Sequence, residues 1–177
     1  TSDYISDVSI NNLKSVIIGT PVTSIGENAF KGAPNLTVAY YAGSSELTSI
    51  QAGAFQNSGL TSIDIPHHVE TIGNNAFQNS SLNSVEIPSH VTSIGTYAFS
   101  ITSLSTVTFE TGSSVTSIGD NAFRQSAIAS VEIPNSVETI GDSAFFQSSL
   151  SSITFESHSS LTTIGTATFN GSKFNSI

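Results

Sequence analysis

The sequence contains no cysteine, no methionine and no tryptophan, and only 4 of its 177 residues are lysine or arginine. Without cysteine, disulfides and thiol chemistry are excluded. No run of about 18 apolar residues occurs, so membrane insertion is not expected. The 13 acidic residues give a net charge of −9. This charge disfavours nucleic acid as a partner, because the protein would repel its phosphate backbone.

Charged residues are also scarce, at 10 % of the chain, and hydrophobic residues make up only 37 %. The surface must therefore consist mainly of Ser, Thr, Asn and Gln. The apolar residues recur with strict periodicity, which is not typical of a disordered chain. A surface rich in Ser and Thr and poor in Lys favours an extracellular or cell-surface location.

The chain is organised by a repeated nine-residue segment, VETIGNNAF in its clearest form. Seven copies in a chain of this length indicate a repeat array, in which each unit buries its apolar face against its neighbours. The copies lie at residues 22–30, 47–55, 69–77, 91–99, 115–123, 137–145 and 161–169.

The full repeat is 22 to 24 residues long. Residues 1–12 do not match it, and we interpret them as an N-terminal cap or a partial repeat. Residues 13–177 comprise seven repeats and the start of an eighth. Their predicted boundaries are 13–35, 36–59, 60–81, 82–103, 104–127, 128–149, 150–173 and 174–177.

The first part of each repeat predicts a β-strand. In residues 60–81, Ile63 and Ile65 alternate with polar residues, as in a half-buried strand. One strand per repeat, separated by long crossovers, must pair in parallel. Three strands end at a proline, where a missing N–H is least costly. These prolines are Pro66, Pro88 and Pro134.

The repeated segment itself predicts a corner, a second short strand and a tight helical or 3₁₀ turn. Glycine recurs after the Ile of this segment, which suggests a positive φ there, with Gly53 replacing the glycine that is missing at Gln51. The Phe that follows Ala should stack into an internal spine. Two-residue insertions in three repeats map to loops on one side of the array.

The unit LTSIDIP…VETIGNNAF closely resembles the BspA-like class of leucine-rich repeats over residues 13–177. The Asn that follows the strand in ordinary leucine-rich repeats is absent, and Ser or Asn stands where this class often has Cys. The resemblance implies a leucine-rich-repeat solenoid, a mostly β, right-handed coil. One parallel strand per repeat would lie on one side, with short strands or 3₁₀ turns on the other. It also implies surface display and adhesive binding to proteins or host cells.

The outward strand positions form the candidate binding face. One reading of its acidic residues is a patch for a basic partner or a weak Ca²⁺ surface. The other is a solvated sheet face that resists edge pairing. Exposed Tyr40 and Ile17 favour binding. The predicted face comprises Ile17, Tyr40, Asp64, Glu86, Thr108, Glu110, Glu132, Thr154 and Glu156.

Histidines suggest a metal site only weakly. His68 and His90 occupy the same position in successive repeats, with His67 beside them, but no third ligand is evident. Serine is so frequent that its proximity to histidine has no catalytic meaning. We therefore expect no cofactor, no metal and no enzymatic activity.

Hydroxyl groups form two further columns after the corner Val, one starting at Thr23 and the other at Ser24. Regular hydroxyls on a flat face resemble an ice-binding surface, although Glu70 and Glu138 interrupt the first column and Thr also suits strands.

The sequence thus predicts a non-catalytic adhesion or protein-binding module that uses the parallel-sheet face and adjacent loops. Its expected ligand is a protein or a component of a host surface or matrix. The alternative is a structural solenoid that self-associates by stacking through an uncapped C-terminal end, because an open strand edge can pair with another copy.

Overall fold

The computed structural model describes residues 10–174, over which each repeat forms one rung of a parallel solenoid. A short 3₁₀ helix at Ile10–Asn12 precedes the first rung. Residues 1–9 of the predicted cap lie outside the described residues. One strand per rung lies on a first side, here called the sheet face. These strands are β1 (Ser15–Ile18), β3 (Val38–Tyr41), β5 (Ser62–Ile63), β7 (Ser84–Ile87), β9 (Thr106–Phe109), β11 (Ser130–Ile133) and β13 (Ser152–Phe155).

A second strand in each rung lies on another side, here called the threonine face. These strands form one continuous seven-stranded parallel sheet that joins consecutive rungs. The second short strand suggested by the sequence is thereby confirmed, as is parallel pairing throughout. The strands are β2 (Ser24–Ile25), β4 (Ser49–Ile50), β6 (Thr71–Ile72), β8 (Ser93–Ile94), β10 (Ser117–Ile118), β12 (Thr139–Ile140) and β14 (Thr163–Ile164).

The ladder of the sheet face is interrupted twice, between β5 and β7 and between β9 and β11. Where β7 and β9 pair, the N–H of Glu110 donates to the carbonyl of Ile87 at 2.9 Å. Equivalent bonds close the β1–β3 and β11–β13 pairs. In the two interrupted pairs this donor position is Pro88 or Pro134, which has no N–H. Pro88 and Pro134 therefore end their strands and remove one ladder bond at each gap. Pro66 has the equivalent position in the third rung, whose strand β5 already ends at Ile63 and keeps its pairing with β3.

The Gly-x-x-Ala-Phe segment, here called the turn edge, closes each rung through hydrogen-bonded turns. In the first rung, the N–H of Ala29 donates to the carbonyl of Gly26 at 3.2 Å. Asn28 between them has a left-handed backbone with φ of 56°. Its N–H donates to the carbonyl of Ala52 in the next rung at 2.9 Å. The turn edge thus forms its own ladder of backbone bonds between rungs.

The repeated glycine of the turn edge does not have the predicted positive φ, so that prediction is wrong. A Cβ at Gly119 would lie 2.7 Å from the N of Thr96 and 2.8 Å from the carbonyl carbon of Gly95 in the preceding rung. Glycine is needed because the two backbones approach closely. Gly53 has φ of 64°, but at the left-handed position, so it does not replace the glycine missing at Gln51.

Aromatic rings form the predicted spine through the solenoid interior. Neighbouring rings are parallel within 18°, with centroids 5.1–5.8 Å apart. The five central rings are fully buried, and so is the Ala before each of them. The inward Leu, Ile and Val side chains complete one continuous core, from which Ile164 of the seventh rung is excluded by its 49 % exposure. The spine consists of Phe30, Phe55, Phe77, Phe99, Phe123, Phe145 and Phe169.

Candidate functional site

The outward side chains of the sheet face form the column that the repeat spacing predicted. Strand register places Ile17 opposite Tyr40, Glu86 opposite Thr108, and Glu132 opposite Thr154. All members of the column are exposed, because the strands alternate between inward and outward positions. The column, from the first rung to the seventh, is Ile17, Tyr40, Asp64, Glu86, Thr108, Glu132 and Thr154.

The column differs in character from one end to the other. Ile17 is 70 % exposed and Tyr40 is 55 % exposed, so two large apolar side chains lie side by side at the N-terminal end. The carboxylates of Asp64 and Glu86 follow on the next two rungs, and that of Glu132 lies two rungs further. An apolar end followed by negative charge is a surface that could recognise both the orientation and the charge of a partner.

Three shallow clefts run along the sheet face. A cleft of about 540 Å³ lies beside Tyr40 and is also lined by Asp64, Pro66 and His67. A cleft of about 370 Å³ crosses β5, β7 and β9, and one of about 420 Å³ crosses β9, β11 and β13. Each of the latter two spans one gap in the ladder and includes the proline of that gap.

Two carboxylates of the predicted face, Glu110 and Glu156, have backbone partners. The N–H of Ser89 donates to Glu110 Oε2 at 2.8 Å, and the N–H of Asn135 donates to Glu156 Oε2 at 3.0 Å. Each carboxylate therefore caps the turn after a proline in the preceding rung. This role was not predicted from the sequence, because it depends on contacts between rungs.

The hydrogen bond from Ser89, assisted by the nearby His67 ring, holds the pKa of the Glu110 carboxyl below its usual value of 4.5. Because the folded-state pKa is the lower one, the ionised carboxylate stabilises the fold above pH 4.5. This stabilisation is lost as the pH falls through the folded-state pKa.

The histidine side chains do not lie together at one site. His67 Nδ1 lies 3.4 Å from the Glu110 carboxylate, while His68 and His90 are exposed. Within residues 10–174, no three His, Asp or Glu side chains are grouped as metal ligands.

Tyr41 was not singled out by the sequence analysis, yet its environment is unusual. Its hydroxyl is buried and has no hydrogen-bond partner within the described part of the chain. Burial, and to a smaller extent the Asp64 carboxylate, raises the pKa of Tyr41 above its usual value of 10.0. Phe109 and Phe155 fill the equivalent position in the other two rungs with long loops, which is the sequence signal that could have identified it.

The threonine face contains the predicted hydroxyl columns, but part of their hydrogen-bonding capacity is used internally. Thr48 Oγ1 donates to the carbonyl of Thr23 at 3.1 Å, and Thr116 Oγ1 donates to the carbonyl of Thr92 at 3.2 Å. These bonds link each rung to the one before it. Ice binding by this face stays a prediction, and thermal hysteresis of the purified protein would test it.

A further column, missed by the sequence analysis, follows the repeated glycine. Asn74 Oδ1 accepts the N–H of Thr96 at 2.9 Å, and Asp120 Oδ1 accepts the N–H of Asp142 at 2.8 Å. These side chains link adjacent rungs on the turn edge, so their polar groups have a structural use.

The parallel rungs and their exposed strand face define a solenoid of the leucine-rich-repeat class. The chain belongs to the family described as the BspA type leucine-rich repeat region, whose repeats match residues 8–126 and 48–175 in six copies. Solenoids of this kind typically serve as non-catalytic scaffolds for protein interaction. None of the described helices is both long and apolar enough to span a membrane.

Solved structures of similar proteins support the same fold. The pneumococcal vaccine antigen PcpA is 27 % identical over 60 % of this chain and 34 % of its own, with a TM-score of 0.54. A leucine-rich cell-surface protein from Faecalibacterium prausnitzii is 27 % identical over 91 % of this chain and 40 % of its own, with a TM-score of 0.54.

A leucine-rich repeat protein from Bacteroides ovatus shares the fold at 19 % identity and a TM-score of 0.52, over 91 % of this chain and 65 % of its own. This chain therefore spans only about one third to two thirds of the length of these proteins. No curated protein matches the chain.

Proposed function

We propose that this chain is a non-catalytic binding module of a secreted or cell-surface protein. It binds a protein or another component of a host surface or matrix through the sheet face. The observation that carries the proposal is the exposed column of that face, where Ile17 and Tyr40 are followed by Asp64, Glu86 and Glu132. The column has no evident structural task, whereas the regular residues of the repeat build the core.

The chemistry of the column favours a positively charged partner. The protein has 13 acidic and only 4 basic residues, so a basic partner is attracted over some distance and nucleic acid is repelled. The similar proteins are consistent with this role, since one is described as a cell-surface protein and another as a vaccine antigen.

A solid-phase binding assay on an immobilised extracellular-matrix preparation tests the proposal. The sheet-face variant replaces Tyr40 with Ala and both Glu86 and Glu132 with Gln. Its matched control replaces Glu70 and Glu138 with Gln, because these two exposed acids lie on the threonine face and removing them changes the net charge equally.

We expect the wild-type protein and the control to bind, and the sheet-face variant to lose most of the binding. Circular dichroism and thermal unfolding must show that both variants are folded. Equal loss in the two variants, or loss only in the control, would show that the sheet face has been assigned wrongly.

Self-association is the second candidate, because the seventh rung exposes apolar side chains. Ile164 is 49 % exposed and Phe155 is 39 % exposed. Such a surface could pack on the first rung of another copy in a head-to-tail contact. Light scattering over a range of protein concentrations tests this for the 177-residue chain. A constant monomer mass at all concentrations would exclude it.

A further inference from the structure

The sequence contains a single Asn-Gly pair, Asn170-Gly171, which lies in the turn that follows Phe169 in the seventh rung. An Asn side chain before Gly is readily attacked by the next backbone nitrogen, because glycine has no Cβ to obstruct the approach. Both residues are exposed, so the water that completes such a reaction has direct access. The pair is therefore a candidate site of chemical modification that the binding function does not use.

The asparagines with a left-handed backbone are protected by hydrogen bonds. Each is followed by a residue whose N–H donates to a carbonyl of the same turn, at 3.2–3.3 Å. Such an N–H cannot attack the preceding side chain unless this backbone hydrogen bond is first broken. These asparagines are Asn28, Asn57, Asn75, Asn79 and Asn121.

Gly171 differs because of its place in the hydrogen-bond ladder between rungs. In each of the first six rungs, the N–H two residues after the spine Phe donates to a carbonyl of the next rung. Gly32 donates in this way to Gln56, and Gln147 donates to Asn170, both at 2.8 Å. The N–H of Gly171 is the equivalent donor of the seventh rung, and it has no backbone acceptor among residues 10–174. The nitrogen that must attack is thus available at this site.

We propose that Asn170 deamidates spontaneously in the folded protein. The Gly171 nitrogen loses its proton and attacks Asn170 Cγ, and the side-chain amide nitrogen leaves with that proton as ammonia, which closes a cyclic imide. Water then opens the imide at either of its two carbonyl carbons. One opening gives aspartate. The other gives isoaspartate, in which the main chain runs through the former side chain.

Both products change the seventh rung. Each adds one negative charge to a chain whose net charge is already −9. In isoaspartate, the main-chain carbonyl of Asn170 becomes part of the new carboxylate, and the main chain gains a methylene group. Because that carbonyl accepts the Gln147 N–H, the contact between the sixth and seventh rungs is altered. The reaction needs no partner and is independent of the binding function proposed above.

The first rung provides a matched control. Gly32 has the same place in its rung as Gly171 and a similar left-handed backbone, with φ of 71° against 79°. Lys31→Asn creates a second Asn-Gly pair there, at an exposed position, but the N–H of Gly32 is bonded to Gln56. The 177-residue variant is incubated in mildly alkaline buffer with and without guanidinium chloride. Peptide mapping by mass spectrometry follows the replacement of NH₂ by OH at each site.

In native buffer we expect deamidation of Asn170 to be faster than at the new site by about fivefold or more, the factor that corresponds to one net hydrogen bond. In guanidinium chloride, where the rungs are unfolded, the two sites should react at similar rates. The wild-type chain gives the comparison for Asn170 without any substitution, and circular dichroism must show that Lys31→Asn is folded. Asn170→Gln should abolish the reaction in this turn, because the longer side chain cyclises far more slowly.

Two results would overturn the proposal. Equal rates at the two sites in native buffer would show that the hydrogen bond between rungs does not select Asn170. If Asn170 remained intact in native buffer but reacted in guanidinium chloride, in the variant and in the wild-type chain, the folded turn would protect it and deamidation would not occur in the folded protein.

Discussion

At the scale of single residues, the Tyr41 hydroxyl is buried without a partner while its ring fills a place taken by Phe in two other rungs. Tyr41→Phe removes an unpaired polar group and leaves the packing intact. We expect the free energy of unfolding at pH 7 to rise by about 1 kcal/mol. Tyr40→Phe is the control. Because the Tyr40 side chain is exposed, this substitution should leave the free energy of unfolding nearly unchanged.

The pH dependence of this substitution follows from the raised pKa of Tyr41. Above pH 10.0, the unfolded chain ionises Tyr41 while the folded protein keeps it neutral. The wild-type protein therefore loses there the stability that neutral Tyr41 contributes, and Tyr41→Phe has no such contribution to lose. Urea unfolding at neutral pH and just above pH 10.0 should show a larger difference at the higher pH. A variant less stable than wild type at both would refute this account.

Ile101 is a residue whose type conflicts with its backbone conformation. It has a φ of 56° and is 47 % exposed, while Asn79 and Gln125 occupy the same position in the adjacent rungs. A left-handed backbone costs an L-residue about 1–2 kcal/mol, and more when the side chain is β-branched, whereas Asn tolerates it. Ile101→Asn should therefore raise the unfolding free energy by about 1 kcal/mol.

The reverse substitution in the next rung, Gln125→Ile, is the matched comparison for Ile101→Asn. It places a β-branched side chain at a φ of 54° and removes the exposed hydrogen bond that Gln125 Nε2 donates to Gln147 Oε1 at 3.0 Å. It should lower stability by at least a similar amount. Thermal unfolding of both variants measures these two changes in stability. If the two changes had the same sign, backbone strain would not be the cause.

At the scale of the elements, the repeat pattern was sufficient to predict both strands of each rung and the Phe stack, because periodic burial determines them. The pattern was insufficient to explain the repeated glycine of the turn edge, here called the glycine column. A glycine at a fixed position can reflect either a positive φ or a close backbone contact. The left-handed position was marked by Asn28, Asn75 and Asn121 two residues later. The caps made by Glu110 and Glu156 escaped prediction, because they join residues 21 positions apart.

The contact explanation of the glycine column makes a direct prediction. At Gly119, an added Cβ would meet three backbone atoms of the preceding rung within 2.9 Å, so Gly119→Ala forces the two rungs apart. We expect a loss of about 1–3 kcal/mol, in the range of other overpacked sites. Urea unfolding would measure the change.

Gly26 is the matched control for Gly119→Ala, because it occupies the same position in the first rung and a Cβ there would meet no atom of residues 10–174 within 4 Å. Gly26→Ala should be neutral or slightly stabilising, since Ala reduces the freedom of the unfolded chain. Similar losses at both positions would mean that backbone conformation, and not contact between rungs, selects glycine.

At the scale of the whole molecule, stability is distributed along a stack in which each rung contacts only its neighbours. This arrangement makes the interface between rungs the unit of stability, and the Phe spine is its most regular component. A ring in the middle of the stack contacts two others, as Phe99 does with Phe77 and Phe123. The described part of the spine begins at Phe30, which stacks on Phe55 only.

Phe99→Ala should therefore cost about 3–5 kcal/mol, as a fully buried aromatic does, whereas Phe30→Ala should cost less than half as much. The central substitution weakens two interfaces at once, so the rungs before and after it should unfold in separate steps with a reduced urea dependence. Phe30→Ala should keep a single transition. Equal losses with one transition in both variants would show that the solenoid unfolds as a uniform cooperative unit, in which position along the stack has no effect.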